Sequence, residues 1–315
     1  MVEVEQCRLD DADSPARRLD QRAEPLVIRG GARPWPAVER WSPEYLTRRL
    51  GPIEIGYKVS SSNAHPDFRV QGLARMFARE RGTLAHFLTL IGSGPASERS
   101  RYLFTGDEQF LLRRRAGQTS IDRDLAPLLD DLPAPEWFAH EQLFAEEQLY
   151  TMWAWMSGCG VRTWLHYDNN GCHNINAQIH GRKRCVLYAP DDLARLHPFP
   201  LGGANPAHNC SRIDVDRPNG ELRIDASVAA WHAELDAGDL LFIPAWWFHT
   251  FEHVGDFNAN VNYWWRPARP VWNVVAARQA VVDAAAAAQL DARDPAVAQT
   301  LAALDAAALH RAPQA

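Results

Sequence analysis

Seven short runs between Leu149 and Arg266 decide the fold: LYTMWAWM (149–156), VRTWLHYD (161–168), NINAQI (174–179), KRCVLYAP (183–190), LLFIP (240–244), HTFEHV (249–254) and NANVNYWW (258–265). Each is apolar or alternates apolar with polar residues, and Gly, Pro, Asn and Asp separate them. Many short strands with turn signals between them predict a mainly β protein, a barrel or jelly roll.

Outside this block the pattern changes. Residues 1–20 read as a polar arm, and PLVIRG (Pro25 to Gly30) as a short strand closed by a glycine turn. Ser42 followed by Pro43 is an N-cap and first-turn pair that predicts a helix to Gly51, and Ile53, Ile55, Tyr57 and Val59 alternate as a strand with one buried face. From about 68 to 91, Leu84, Phe87, Leu88 and Ile91 behind Thr83 fit an amphipathic helix; a second helical stretch is expected within 121–145. Beyond Pro270, Val271, Val274, Val275, Val281, Val282, Ala285 and Leu290 mark one helix, and Asp294 with Pro295 caps another through Val297, Leu301 and Leu304. This helical hairpin carries an apolar stripe on each helix, suited to its own barrel or to a second copy of the chain in a homodimer. The expected organisation is an arm (1–20), a catalytic domain (21–267, core strands about 149–267) and a C-terminal helical pair (268–315).

Of the 315 residues, 46% are hydrophobic and 23% charged, the composition of a folded globular protein. A net charge of -6 argues against holding nucleic acid by general electrostatics, which needs a basic face. The start MVEVEQCRLDDADSP is acidic and nowhere do eighteen apolar residues run uninterrupted, so a cytoplasmic protein without a membrane segment is expected. The five cysteines, Cys7, Cys159, Cys172, Cys185 and Cys210, form no C-x-x-C spacing and read as reduced and structural. Twelve tryptophans read chiefly as core packing.

Chemistry enters with His166-Tyr167-Asp168 at the end of a predicted strand, where residues i and i+2 project to one side and can grip one ion together. A lone H-x-D triplet is common by chance. Its context here is Gly238-Asp239-Leu240-Leu241-Phe242-Ile243-Pro244, a turn, a buried strand and a break, followed by His249 at the opening of the next strand. In an antiparallel barrel that strand can place His249 opposite the triplet. Two histidines and one carboxylate on one face leave adjacent coordination positions free, the arrangement of non-haem iron(II) oxygen chemistry; zinc enzymes more often add a third nitrogen or sulfur ligand. His173 and His180 flank the same block but share no spacing with a carboxylate, and read as non-ligands.

HYD, HGRKRCVLYAP, GDLLFIPAWWFH and VNYWW, in this order, resemble the motifs of the JmjC cupin-like hydroxylases, strongly over 149–267 and more loosely at PLVIRGGARPWP. Members it resembles include the asparaginyl hydroxylase of hypoxia-inducible factor and the hydroxylase of the tRNA base wybutosine. The resemblance implies a double-stranded β-helix with N-terminal α/β additions and a C-terminal helical pair, the latter dimerising the asparaginyl hydroxylase. It implies an iron(II)- and 2-oxoglutarate-dependent dioxygenase that couples decarboxylation of 2-oxoglutarate by O2, giving succinate and CO2, to hydroxylation of an unactivated C–H bond. His166, Asp168 and His249 would be the metal ligands and catalytic centre. Lys183 would neutralise the far carboxylate of 2-oxoglutarate, Thr163 would bond the same cosubstrate, Asn174 and Asn262 would line its pocket, and Tyr102 would reach it from upstream. A short insertion between Asp168 and Lys183 loosens the placing of Asn174. Trp246, Trp247 and Trp264 would wall the site. A protein or peptide side chain is the first-choice substrate and a tRNA base the second; histone demethylation is disfavoured because no reader domain or zinc cluster accompanies the block. The rivals are a non-catalytic cupin used for binding, which would tend to lose a ligand or the lysine, and a cupin isomerase or dioxygenase that would not need Lys183.

Overall fold

The computed structural model describes residues 1–315 apart from 12, 70–75, 106–110, 115–122, 202–204, 206, 218–221, 292–293 and 311–315. In chain order the strands are β1 (Val2–Glu3), β2 (Glu5–Cys7), β3 (Leu26–Ile28), β4 (Glu54–Val59), β5 (Ala64–His65), β6 (Ala78–Thr83), β7 (Tyr102–Thr105), β8 (Leu111–Arg114), β9 (Leu149–Gly158), β10 (Arg162–Thr163), β11 (His173–Tyr188), β12 (Trp231–Leu235), β13 (Leu240–Ile243) and β14 (Phe248–Trp265). The α-helices are α1 (Pro36–Arg40), α2 (Pro43–Leu50), α3 (Leu84–Gly92), α4 (Ala96–Arg99), α5 (Pro135–His140), α6 (Val274–Ala287) and α7 (Pro295–His310).

Two long strands organise the barrel. β11 and β14 pair antiparallel from His173↔Trp265 to Tyr188↔Phe248. On its other edge the first part of β11 meets β13 and the last part meets β12, while β14 meets β10 and then β9. One sheet therefore runs β2-β3-β13-β11-β14-β9-β7-β4-β6, and a second, β1-β12-β11-β14-β10-β5, shares its two central strands. This is the double-stranded β-helix. The shared strands turn from one sheet to the other where their register slips between Gln178 and Arg182. Gly181 sits in this bend at φ +76°, and a Cβ there would come within 2.4 Å of the Phe257 carbonyl oxygen, so only glycine fits.

Strand alternation separates a packed outside from a polar inside. Ala259, Val261 and Tyr263 of β14 join the main core beneath Leu46 of α2, Phe87 of α3 and Phe138 of α5. Asn258, Asn260 and Asn262 project to the opposite face and are nonetheless buried. The N-terminal elements are thus a cover over one sheet face. Ser42 caps α2 by accepting from the Tyr45 N–H at 3.2 Å, and Thr83 caps α3 by accepting from the His86 N–H at 3.1 Å.

Several expectations need amendment. Residues 2–7 are not a free arm: Val2 pairs with Trp231, Glu5 with Leu26, and Val4 and Cys7 are buried. The helix expected from about 68 starts only after Thr83. Residues 78–83 instead pair with β4 as an edge strand whose charged side chains are exposed. Within 121–145 the helical content is a 3-10 stretch (Arg123–Asp131) and α5. The cysteines are free thiols, and no helix among the described residues is long and apolar enough to cross a membrane.

The C-terminal pair packs on its own barrel. Arg278, fully buried on α6, donates from Nε to Asp305 Oδ1 of α7 at 2.5 Å and from its guanidinium to the His208 and Phe199 carbonyls. Asp294 Oδ1 accepts from the Ala296 and Val297 N–H groups, as its N-cap position requires. Removing one partner of such a buried ion pair costs about 3–5 kcal/mol, because the other charge is left uncompensated. Leu290 and Leu304 remain 51% and 45% exposed.

Candidate metal centre and its cleft

The backbone places the three candidate ligands. His166 and His249 are an antiparallel pair in which the His249 N–H donates to the His166 carbonyl at 2.7 Å and the His166 N–H returns to the His249 carbonyl at 3.1 Å. Side chains so paired share a face, and the two ring centroids lie 4.5 Å apart. Asp168, two residues on, projects the same way; Tyr167 between them turns into the apolar cluster around Trp246 and Phe248. Ligand atoms of His166, Asp168 and His249 all lie within 4.8 Å of one another, with Asp168 Oδ1 at 3.9 Å from His166 Nε2 and 4.0 Å from His249 Nε2.

Neighbouring groups fix which atoms are free. His166 Nδ1 donates to the Trp164 carbonyl at 2.7 Å and His249 Nδ1 to the Trp247 carbonyl at 3.0 Å, an assignment that leaves each Nε2 with a lone pair. Asp168 Oδ2 accepts from Trp264 Nε1 at 2.8 Å and Asn174 Nδ2 at 2.9 Å, which leaves Oδ1 for an ion. His166 keeps 26% side-chain exposure, yet enclosure by the cleft walls, with His249 beside it, lowers its pKa to about 4. It is therefore neutral, and able to coordinate, at physiological pH. The donor set fits a divalent ion of the two-histidine, one-carboxylate kind.

The triad opens into a cleft of about 480 Å³ whose lining includes Thr163, Asn174, Lys183 and Asn262. Lys183 is 2% exposed; its Nζ donates to Asn260 Oδ1 and lies 4.8 Å from the Phe251 ring centroid. It has no carboxylate partner among the described residues, and burial lowers its pKa to about 7. Thr163 Oγ1 accepts from the Phe251 N–H at 2.9 Å. Asn174 bonds both ways, to Asp168 and through its Oδ1 to Asn262 Nδ2 at 3.0 Å, so it belongs to the carboxylate's setting as much as to the cleft wall. Tyr102 is not brought to this cleft: it sits on β7 with its ring 6.2 Å from Tyr57.

Of the three tryptophans expected as walls, only Trp264 lines the cleft. Trp246 donates to the Val271 carbonyl and Trp247 to the Ala23 carbonyl, each in a different apolar cluster; Trp153 and Trp155 of β9 line the cleft instead. His173 Nδ1 accepts from the Ala245 N–H and His180 packs on Phe257, away from the triad. Sequence reasoning missed Asn260 and His253, which also line the cleft. The signal was present: NANVN (258–262) and HTFEH (249–253) each repeat a polar or aromatic type at every second residue, the period of one strand face.

Comparison with known proteins agrees with this geometry. Residues 14–269 match the family described as "Cupin-like domain". The tRNA wybutosine-synthesizing protein 5 of Gallus gallus is 30% identical over 256 residues, covering 79% of this chain and 73% of that protein. The tRNA wybutosine-synthesizing protein 4 of Gibberella zeae is 28% identical over 258 residues, 80% of this chain but 22% of that protein. Lysine-specific demethylase 8 of Xenopus tropicalis is 26% identical over 247 residues, 77% of this chain and 48% of that protein. By fold, triad and extent of match, the chain belongs to the JmjC-like cupin-like domain family.

Proposed function

We propose that the protein is an iron(II)- and 2-oxoglutarate-dependent hydroxylase acting on a protein or peptide side chain. The observation that carries this reading is the meeting, in one cleft, of three unengaged ligand atoms and a buried lysine with no carboxylate partner among the described residues. A buried lysine without a counter-charge is costly, and a dicarboxylate that chelates the ion at one end and meets Lys183 at the other would relieve that cost. When bound, iron(II) with O2 supplies the oxidising chemistry and 2-oxoglutarate the electrons, leaving as succinate and CO2.

The chain's own residues do the rest. His166, Asp168 and His249 would hold the ion from one side, which keeps its other positions for ligands. Trp264 and Asn174 hold Asp168 in its orientation, and the Trp164 and Trp247 carbonyls hold the two imidazoles in one tautomer. Lys183 would neutralise the distal carboxylate, while Phe251 and Trp264 limit water at the reacting end. The names of the relatives favour a second reading, a tRNA base as substrate. The net charge of -6 supports the first, since a tRNA backbone calls for a basic surface.

The test is succinate release from 2-oxoglutarate with iron(II), alone and with a peptide library or bulk tRNA. Stimulation by peptides supports the reading, stimulation by tRNA alone moves it to the second, and no succinate under any condition would return the protein to a binding cupin.

A further inference from the structure

His253 is a buried histidine of the cleft with no part in the triad. It is 2% exposed, lies opposite Lys183 in the β11–β14 register, and projects from β14 to the same face as His249 and Phe251, at every second residue. Cross-strand partners of this kind have Cβ atoms about 4.5–5.5 Å apart. Its Nδ1 is in a short contact with Ser157 Oγ of β9. Ser157, fully buried, has one hydroxyl proton and two acceptors for it, the Gly158 carbonyl at 3.2 Å and the closer His253 Nδ1. Assigning the hydroxyl proton to Nδ1, the closer of the two acceptors, places the ring proton on Nε2, which has no hydrogen-bond partner among the described residues.

The neighbouring lysine agrees with that tautomer. Lys183 Nζ, across the strand, donates to Asn260 Oδ1 and makes no hydrogen bond to the imidazole among the described residues. Burial, with Lys183 as the next cause, holds His253 well below the ordinary histidine pKa, so the ring is neutral. The inner face thus carries the Lys183 ammonium over the Phe251 ring and, opposite it in the register, the His253 N–H donor.

We propose that His253 is a second ligand-binding residue, whose Nε2–H donates to the distal carboxylate of the 2-oxoacid cosubstrate beside Lys183. This rests on the 2-oxoglutarate reading above. Ser157 is then a positioning residue that sets the tautomer, and the pair makes the cleft select a dicarboxylate over a 2-oxoacid with an uncharged tail.

The test measures binding, without turnover, to the full-length protein loaded with manganese(II) under anaerobic conditions, by calorimetry with 2-oxoglutarate and with 2-oxopentanoate, which lacks the distal carboxylate. His253→Phe is expected to weaken 2-oxoglutarate by about ten- to hundredfold, the range of one charge-assisted hydrogen bond, and to leave 2-oxopentanoate within about twofold. His253→Gln, which keeps an N–H donor, should recover part of the loss, and Ser157→Ala should fall between. Unchanged 2-oxopentanoate and manganese(II) affinities report that each variant is folded. Equal weakening of both 2-oxoacids, or none of 2-oxoglutarate, would overturn the proposal. Lys183→Ala separates the two levels: if it weakens 2-oxoglutarate while His253→Phe does not, the cosubstrate reading stands and His253 has no part in it. If neither variant changes 2-oxoglutarate binding, both readings fall.

Discussion

Replacing Lys183 by Met should make the protein more stable and weaken its hold on the proposed 2-oxoglutarate. The side chains are similar in length, so the change removes a charge and leaves little cavity. Lys183 has a folded pKa of about 7 against 10.5 for the free side chain, with burial as the cause. Between these values the unfolded chain binds more protons than the folded one, so this residue makes wild-type stability rise with pH through that window. At pH 7 the linked cost to the folded state is about 4 kcal/mol, and at pH 9.5 about 1 kcal/mol. Met also deprives Asn260 Oδ1 of its lysine donor, which costs about 1–3 kcal/mol at every pH. The variant should therefore be about 1–3 kcal/mol more stable than wild type at pH 7, and the advantage should shrink by about 3 kcal/mol by pH 9.5, where wild type draws level or overtakes it. Urea denaturation of both proteins at several pH values between 7 and 9.5 measures this directly. A variant less stable than wild type at pH 7, or a difference that does not move with pH, would refute the reasoning that Lys183 is held in the cleft at a cost.

Trp264→Phe keeps an aromatic ring but removes the donor to Asp168 Oδ2, and should weaken manganese(II) binding by about ten- to hundredfold; calorimetric titration of the ion checks it. Gly181→Ala forces a methyl against the Phe257 carbonyl at a left-handed φ and should destabilise the protein by about 1–3 kcal/mol, read from the denaturation midpoint. For the homodimer expected from the sequence, Leu290→Arg with Leu304→Arg should convert dimer to monomer in sedimentation, and a monomeric wild type would dismiss that interface.

The triad was legible because strand geometry is simple: a period of two joins His166 to Asp168, and a return strand brings His249 across from them. The caps at Ser42 and Asp294 were legible for an equally local reason, a side-chain oxygen placed before orphan N–H groups. Other features depend on partners distant in sequence. The edge strand 78–83 is charged and exposed, so only its pairing with β4 distinguishes it from the helix that follows. MVEVEQC does alternate, but its strands form on β12 and β3, which the sequence does not announce. Trp246 and Trp247 are adjacent in sequence, but Trp246 sits in a turn at φ +73° between β13 and β14, and the two rings enter different clusters. His253 and Asn260 belong to no motif, and only the period of two in the inward stripe that includes them marks them in the sequence.

The turn that bears His166 and Asp168 has a back as well as a front. Tyr167 is fully buried there, its hydroxyl donates to Gln279 of α6 at 3.4 Å, and Arg278 beside Gln279 ties the same helix to the His208 and Phe199 carbonyls. The family match ends at residue 269, short of α6 and of its Arg278 and Gln279. A chain cut at that homology boundary would retain all three candidate ligands and yet lose the buttress behind the turn that bears two of them, so a weakened ion affinity would report the missing helix as though a candidate ligand had been mutated. In proteins of this build, the limits of the recognisable domain and the limits of what keeps its metal site rigid need not coincide.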